Sequence, residues 1–380
     1  MNGELRLRLE EPPGYRRLIG IGGIGSGIFF ALDGKHTLGR DESRLGTLLD
    51  VRDYCKLHII SHYVARLLGA TPATGFRVIP IGKVGDDAPG RQMILEMKAA
   101  GMDTQHVETV AGSPTLFSVC FQYPDGAGGN ITASNSAAAQ LSCTDLDPLE
   151  NLFAEPAVAL AAPEVPLETR AHFLEIAGRH RAFRAASFTA AEVAPALELG
   201  MFANLDLVSL NEGEAAVLAG RDFEPSNPTP FLSACEAVLR ANYPQLRLAV
   251  TAGGMGAFAY WQGAWDFRSA PPVQVASTAG AGDALLAGLI AAIVAGIPFI
   301  DGAQPGRPVP EGPLADALDF AVLLASYTVR SPHTIHPQAS LSDLVAFAAE
   351  LRLSFDASIS RHWETCASGS AAPPQARILA

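Results

Sequence analysis

The sequence has little that would indicate an extracellular, membrane or nucleic-acid-binding protein. Its five cysteines are scattered and form no C-x-x-C pair, which argues against a disulfide framework or a zinc cluster. No apolar run is long enough to span a bilayer, and the first residues lack a signal-peptide core, so we expect a cytoplasmic protein. Lysine and arginine total 27 against 39 aspartates and glutamates, a formal net charge of −12. This balance disfavours nucleic acid and favours a small-molecule partner.

The hydrophobic content is high, at 48% of 380 residues, and supports a large core. Short apolar runs at residues 76–82, 157–163, 205–211 and 246–253 alternate with helical patterns, and residues 284–296 form a strongly apolar helical pattern. This alternation predicts an α/β fold with helices on both faces of a mostly parallel sheet. Two glycine-broken segments, about 26–50 and 114–135, break this pattern, and we expect them at one edge of the sheet. Residues 301–313 suggest a surface loop, and residues 364–380 a flexible tail.

The segment LIGIGGIGSGIFFAL raises a different possibility, because Gly20, Gly22 and Gly25 have the spacing of a dinucleotide-binding turn. Asp41 and Glu42 even lie near the position of the ribose-binding carboxylate. Such a turn must open a helix after Gly25, but further glycines interrupt every stretch that is long enough to form one. We therefore predict a glycine-rich strand rather than a nicotinamide or flavin site.

The segment STAGAGDALLAG indicates a site for phosphoryl transfer. Gly280, Ala281 and Gly282 lead into an apolar helix, so backbone N–H groups converge where the helix dipole attracts an anion. Asp283 in the first turn is placed to accept the proton of an attacking hydroxyl group. The alternative is a carboxylate that only stabilises the start of the helix.

Two further segments suit a metal ion and a nucleotide. In LVSLNEGEAAVLAG, Asn211 and Glu214 are three residues apart at a strand-to-helix junction. There they can face one hydrated Mg²⁺ or form a capping pair. In VTAGGMGAFAYWQG, Thr251, Gly253 and Gly256 form a tight turn that suits either nucleotide phosphates or an ordinary hairpin.

The order of these segments resembles the ribokinase-like, PfkB-type carbohydrate kinases over about residues 16–345. PIGKVGDDAPGRQMILEMKAAGMDT at residues 80–104 is similar to the N-terminal signature of that family, and the N-x-x-E, VTAGGMG and GAGD motifs follow in the family's order. The resemblance implies a three-layer α/β/α sandwich with a mostly parallel central sheet and a small β-sheet lid. It would form one kinase domain over residues 1–363, with the lid at about 26–50 and 114–135.

The resemblance also implies ATP-dependent, Mg²⁺-requiring phosphorylation of an alcohol group on a sugar or sugar-like molecule. The residues implied are a general base, an anion hole, a pair that organises Mg²⁺ and phosphate, and a turn that lines the ATP site: Asp283; Gly280, Ala281 and Gly282; Asn211 and Glu214; and Thr251, Gly253 and Gly256. The alternatives are a nucleoside kinase on the same fold and a catalytically silent sugar-binding relative. A homodimer through the lid is expected, because an unpaired sheet edge and an exposed apolar face favour contact with a second copy.

The acceptor side departs from the family's pattern. Members commonly have an aspartate shortly after the first strand and a Gly-Gly pair before the following helix, both contacting sugar hydroxyls. The first position falls here among Gly25, Ser26 and Gly27, and the second falls in DYCKLHIISHYVARLLGA, which has no glycine pair. The segment ALDGKHTLGRDESR offers other acceptor-binding candidates: Asp33, Lys35, His36, Arg40 and Arg44. They predict an acceptor with an anionic or strongly polar group, and the alternative is a solvated charged loop.

Overall fold

A computed structural model describes residues 5–10, 14–34, 36–70, 75–124, 128–300 and 313–365. The strands in chain order are β1 (Leu5–Leu7), β2 (Arg17–Ile21), β3 (Gly25–Leu32), β4 (Gly46–Tyr54), β5 (Arg77–Gly85), β6 (Val107–Val110), β7 (Leu116–Gln122), β8 (Gly128–Thr132), β9 (Ala157–Ala161), β10 (Phe183–Ser187), β11 (Leu207–Asn211), β12 (Arg247–Thr251), β13 (Gly256–Trp261), β14 (Ala264–Ser269) and β15 (Trp363–Thr365). The α-helices are α1 (Lys56–Leu68), α2 (Ala88–Ala99), α3 (Cys143–Leu146), α4 (Leu167–Arg179), α5 (Ala190–Glu198), α6 (Glu212–Ala219), α7 (Thr229–Asn242), α8 (Ala281–Val294), α9 (Ala317–Thr328), α10 (Leu341–Glu350) and α11 (Ala357–Ser360).

Nine strands form the central sheet in the order β14-β13-β12-β11-β10-β9-β2-β5-β6. The strands from β12 to β6 are parallel, and β13 and β14 extend the sheet as antiparallel strands. One face packs against α1, α2, α8, α9 and α10, and the other against α4, α5, α6 and α7. The predicted three-layer α/β/α sandwich is therefore confirmed. Among the described helices, none has both the length and the apolar character that crossing a membrane requires.

Helix α8 is apolar on nearly all sides, as its sequence predicts. It packs against α1 and α9, and eleven of its residues are buried. Gly288 lets α9 approach, because a Cβ atom there would lie 2.7 Å from Cα of Ala321. A helix enclosed in this way has a fixed N-terminus, which matters for the site described below.

The glycine-rich segment forms strands, as predicted, and not a dinucleotide-binding turn. β2 ends at Ile21 and β3 begins at Gly25, so a strand follows Gly25 where a dinucleotide fold would require a helix. A Cβ atom on Gly20 would lie 2.7 Å from Cδ1 of Leu57, and one on Gly22 would lie 2.9 Å from Cβ of Leu57. The glycines thus let α1 pack closely on β2.

The lid is a separate sheet with the strand order β4-β3-β7-β8. β3 pairs with β4 and β7 pairs with β8 in antiparallel register, whereas β3 and β7 are parallel. The two strands predicted within residues 114–135 are thus confirmed, with residues 125–127 outside the described part. Residues 301–312 of the predicted loop and 366–380 of the predicted tail also lie outside it. Glu364 and Thr365, which we assigned to the tail, pair with β1 as part of β15.

A buried charge cluster joins β14 to α9. Arg268, which is 3% exposed, donates from Nε to Asp319 over 2.6 Å, from Nη2 to Asp316 over 2.8 Å, and from Nη1 to Asp266. Asp316 also caps α9 by accepting the N–H of Asp319 over 2.8 Å. We call Arg268 and these three aspartates the arginine cluster, and each of its carboxylates is hydrogen-bonded to the same guanidinium.

Candidate active site

The N-terminus of α8 forms a cradle of backbone N–H groups. Gly280 precedes the helix in the left-handed conformation, at φ 83°, and a Cβ atom there would overlap the carbonyl oxygen of Thr334. A Cβ atom on Gly282 would instead meet no atom within 4 Å. Gly280 is therefore required by the fold, whereas Gly282 leaves open space beside first-turn N–H groups that have no partner within the helix.

The lid is attached to this cradle through Thr334. The N–H of Tyr54, at the end of β4, donates to Oγ1 of Thr334 over 3.0 Å. The N–H of Thr334 donates to the carbonyl oxygen of Arg52 over 3.2 Å. The carbonyl group of Thr334 also packs against Gly280. Thr334 therefore connects the end of the lid strand β4 to the start of α8.

Asp283 is at the third position of α8 and is only 8% exposed. Nζ of Lys56 lies 3.8 Å from its Oδ1. Burial raises the pKa of Asp283 above its usual value, and the charge of Lys56 acts in the opposite direction. A carboxylate with a raised pKa is a stronger base, so Asp283 can accept a proton from a hydroxyl group in the adjoining cavity.

Lys56 is a site residue that the sequence analysis missed. It is the first residue of α1, directly after the lid strand β4. The negative charge of Asp283 is the largest influence that raises the pKa of Lys56, with contributions from Glu214 and Glu164. Its ammonium group can therefore neutralise charge next to the cradle. The signal available in the sequence was a lysine opening the helix that follows the lid.

A cavity of about 460 Å³ lies between the N-terminus of α8 and the lid strands β4, β7 and β8. Its ionisable lining includes the carboxyl groups of Asp53, Glu164 and Asp283. In the part of the chain that the structure describes, Lys56 is the only basic side chain that lines it. Serine, threonine and asparagine side chains complete its polar surface. The cavity is thus rich in hydrogen-bond acceptors and suits a hydroxylated molecule.

Two of these carboxyl groups have strongly perturbed pKa values. Burial raises the pKa of Asp53 to about 6, although the Cys120 thiol opposes this by donating to Oδ2 over 3.6 Å. Burial likewise raises the pKa of Glu164 to about 7. Oε2 of Glu164 is buried and has no hydrogen-bond partner among the described residues, and its backbone has a positive φ of 77°. Neither residue was singled out in the sequence.

Asn211 and Glu214 form the capping box that was one of the two predicted alternatives. Oδ1 of Asn211 accepts the N–H of Glu214, and Oε2 of Glu214 accepts the N–H of Asn211, both over 2.8 Å. Burial raises the pKa of Glu214, which is 7% exposed, and the charges of Lys56 and Asp283 also act on it. Oxygen donors of this kind fit Mg²⁺. Because the capping box uses Oε2, Oε1 is the oxygen that would face a hydrated ion, and the metal role stays a prediction.

Thr251 ends β12 beside Asn211, its register partner on β11. The turn that follows has Gly253 at φ 52° and Gly256 at φ 122°, where a Cβ atom would overlap the carbonyl oxygen of Arg268. This turn joins the antiparallel strands β12 and β13, so its hairpin role is present. Its role in ATP binding stays a prediction, although it opens at the carboxyl edge where α/β sheets bind ligands.

The described residues of the charged lid loop do not line the cavity. Glu42 accepts from His36 over 3.0 Å, from Nε of Arg44 over 2.7 Å and from the N–H of Gly39 over 2.8 Å, and these bonds lower its pKa to about 2. Of the predicted acceptor-binding residues that are described, none lines the cavity: Asp33, His36, Arg40 and Arg44. Lys35 lies outside the described residues. Their role stays a prediction without a contact to support it.

Comparisons with known proteins agree with this architecture. The model of the pfkB family carbohydrate kinase matches residues 61–340. A 2-dehydro-3-deoxygluconokinase of Thermoproteus tenax is 27% identical over 290 residues, which is 73% of this chain and 81% of that protein. A ribokinase from Cryptococcus neoformans var. grubii serotype A in complex with ADP is 22% identical, with a TM-score of 0.69 over 87% of this chain and 99% of that one. An Arabidopsis thaliana ribokinase complexed with ribose and ATP is 18% identical, with a TM-score of 0.62 over 90% and 100%.

Proposed function

The chain belongs to the pfkB family of carbohydrate kinases, and we propose that Asp283 is the general base with which it phosphorylates a sugar hydroxyl at the expense of ATP. The observation that carries this proposal is the position of Asp283. Its buried carboxyl group lies in the first turn of α8, on the wall of a cavity that also contains Lys56. The base and the anion cradle therefore lie in the first turn of α8, and the cation approaches them from the start of α1.

The proposed reaction proceeds by in-line transfer. The acceptor hydroxyl in the cavity gives its proton to Asp283 and attacks the terminal phosphorus of ATP, and the bond to the leaving ADP oxygen breaks. Backbone N–H groups at Gly280, Ala281 and Gly282 hold the transferring group, and the ammonium group of Lys56 neutralises its charge. Phosphoryl transfer needs mainly such positioning and charge stabilisation.

The nucleotide side of the proposal uses the carboxyl ends of β11 and β12. The turn with Thr251, Gly253 and Gly256 would approach the ATP phosphates, and Glu214 with Asn211 would hold a hydrated Mg²⁺. A Mg²⁺ ion held there would supply positive charge that neutralises the ATP phosphates. Glu214 supports this role because its buried carboxyl group is close enough to Lys56 and Asp283 for their charges to act on it.

A homodimer through the lid is part of the proposal. Leu45, Leu48 and Ile131 are 80%, 59% and 70% exposed on or beside the lid strands. An apolar sheet surface of this kind is costly to leave in water. Analytical ultracentrifugation should therefore give a dimer, and Leu48→Asp should give a monomer.

The function is tested by following ADP release with a panel of sugars and nucleosides as acceptors. We expect a sugar to be phosphorylated, and Asp283→Asn to lower kcat by at least about 100-fold, because an amide cannot take the hydroxyl proton. Its KM for ATP should change little. The matched control is Asp86→Asn, which removes an exposed carboxylate beside α2. Normal turnover by Asp283→Asn would remove Asp283 from the role of base, and turnover of nucleosides alone would identify a nucleoside kinase.

A further inference from the structure

The carboxyl group of Asp53, on the lid strand β4, lines the acceptor cavity. Asp53 on β4 is the register partner of Gly27 on β3. A Cβ atom built on Gly27 would overlap Oδ2 of Asp53. The carboxyl group of Asp53 therefore occupies the space that a side chain at position 27 would fill. Gly27 is also one of the three residues, Gly25, Ser26 and Gly27, among which the sequence lacks an aspartate after the first strand.

Asp53 has few partners of its own. The Cys120 thiol, a weak donor, donates to Oδ2 of Asp53 over 3.6 Å, and the backbone N–H of Tyr54 is a second donor to this carboxyl group. Within the described residues, no basic side chain forms an ion pair with it. A half-buried carboxylate with so few donors is costly unless a ligand supplies more of them, and hydroxyl groups of a bound sugar are suitable donors.

The remaining charges of the cavity restrict the kind of acceptor that fits. Three carboxyl groups line it, those of Asp53, Glu164 and Asp283, against the single ammonium group of Lys56 among the described lining residues. Lys56 lies beside Asp283, so its charge is directed to the phosphoryl side. An acceptor with a carboxylate or phosphate at the lid end of the cavity would meet negative charge.

We propose that Asp53 selects an uncharged, polyhydroxylated acceptor by accepting hydrogen bonds from its hydroxyl groups, through the space left by Gly27. The proposal rests on the proposed function and names the substrate class of that site. It differs from the prediction of an anionic acceptor, which depended on a lid loop whose described residues do not line the cavity. Asp53 is a specificity-determining residue here, and Asp283 keeps the chemical step.

The test is an exchange of the carboxyl group between the two strands. Asp53→Gly should raise the KM of the best neutral sugar at least tenfold, and the KM for ATP should stay within twofold. Gly27→Asp alone should also impair turnover, because two carboxyl groups then compete for one space. The double variant Gly27→Asp/Asp53→Gly returns one carboxyl group to that space and should recover most of the lost kcat/KM. A merely structural role for Asp53 would instead lower the melting temperature of Asp53→Gly and change the KM values for sugar and ATP together.

Charge selection is measured with neutral sugars such as D-ribose and D-fructose and with sugar acids such as D-gluconate and 2-dehydro-3-deoxygluconate. Asp53→Asn should raise the relative kcat/KM for acids over neutral sugars at least tenfold. Asp50→Asn, which changes an exposed residue on the same strand, should leave that ratio unchanged. Turnover of sugar acids alone by the wild-type protein would overturn the proposal and leave Asp283 in its role.

If the protein turns over none of these compounds, sugar binding can be measured instead. A neutral sugar should raise the melting temperature of the wild-type protein in the presence of a non-hydrolysable ATP analogue, and Asp53→Asn should abolish that shift. A shift that persists in Asp53→Asn, or is absent in the wild type, would refute the role of Asp53. If the wild-type protein binds a neutral sugar through Asp53 but phosphorylates none, that result would count against the proposed function and leave the role of Asp53 in binding.

Discussion

Two clusters in this molecule set several carboxyl groups around one basic side chain, and they differ in how fully the charges are paired. In the arginine cluster, one guanidinium donates to three aspartates, and all four side chains are at most 4% exposed. Around Lys56 the ion pair with Asp283 is 3.8 Å long and the cluster opens on the acceptor cavity. The first arrangement stabilises the fold, because removing either partner leaves a buried charge. The second leaves groups free for a ligand.

The largest effect should come from breaking the arginine cluster. Arg268→Met removes the guanidinium that is hydrogen-bonded to three buried carboxylates, and we expect the free energy of unfolding to fall by about 3–5 kcal/mol. Urea unfolding followed by circular dichroism measures it. The matched control, Arg91→Met, removes an exposed arginine paired with Asp86 and should cost at most about 1 kcal/mol. Equal losses in the two variants would contradict the contrast between the clusters.

Removing the cation from the second cluster should impair activity instead of folding. Lys56→Gln should lower kcat/KM for ATP by about 10- to 100-fold, the range for a lost hydrogen bond to a charged group. Because Lys56 lowers the pKa of Asp283, its removal should also shift the acidic limb of the pH–rate profile to higher pH. Lys98→Gln, at an exposed position of α2, is the control. An unchanged profile with normal kcat/KM would separate Lys56 from the reaction.

Much of the fold and one half of the site follow from the sequence for a physical reason. The cradle at Gly280–Asp283 is built by consecutive residues whose backbone determines the geometry, so a local motif carries it. The same holds for the capping box of Asn211 and Glu214. Helix α8 and the buried strands were also predictable, because burial on all sides requires continuous apolar runs.

The acceptor half could not be predicted, because its residues are far apart in the chain. Asp53 comes from a lid strand, Lys56 from the start of α1, and Glu164 from the loop after β9. Neither Asp53 nor Glu164 lies in a pattern that indicates a site, and the pairing of β3 with β4 brings Asp53 to Gly27. The composition of the charged loop also does not show that Glu42 binds His36 and Arg44, and the acceptor-binding role of that loop stays a prediction.

The stability contribution of a carboxyl group near Lys56 should also change with pH in the opposite direction from that of a paired carboxylate. The pKa of Glu164 is raised to about 7 in the folded state, so the folded protein holds more protons than the unfolded chain between about pH 4.5 and 7. Stability from this group therefore falls as pH rises through that window. Glu164→Gln should raise the melting temperature relative to wild type more at pH 8 than at pH 5.

The control for this experiment is Glu155→Gln. Arg17 lowers the pKa of Glu155, so its contribution to stability is present at neutral pH and lost as pH falls through the lowered pKa. Its replacement should lower the melting temperature slightly, and more at pH 8 than at very low pH. The same sign of change for both variants at pH 8 would be evidence against the difference in pairing.

The smallest effect should come from Glu214. Glu214→Gln keeps an oxygen that accepts the N–H of Asn211, so α6 should still form, but a neutral amide is a poorer ligand for Mg²⁺. We expect the Mg²⁺ concentration for half-maximal rate to rise several-fold, with the melting temperature unchanged. Asp343→Asn, in the capping box of α10, should leave the Mg²⁺ titration unaffected. An identical titration for Glu214→Gln would leave it with a capping role only.

The two backbone hydrogen bonds that attach the lid at Thr334 can report on lid opening through amide hydrogen exchange. The N–H of Tyr54 donates to Thr334, and the N–H of Thr334 donates to Arg52, so both amide hydrogens exchange with deuterium only when β4 separates from the segment that supports Gly280. If the lid opens above this joint, their exchange stays slow while amides farther along β4 exchange fast. If the whole strand lifts, all of them exchange together. Deuterium uptake at two amides can thus locate the hinge without any label attached to the protein.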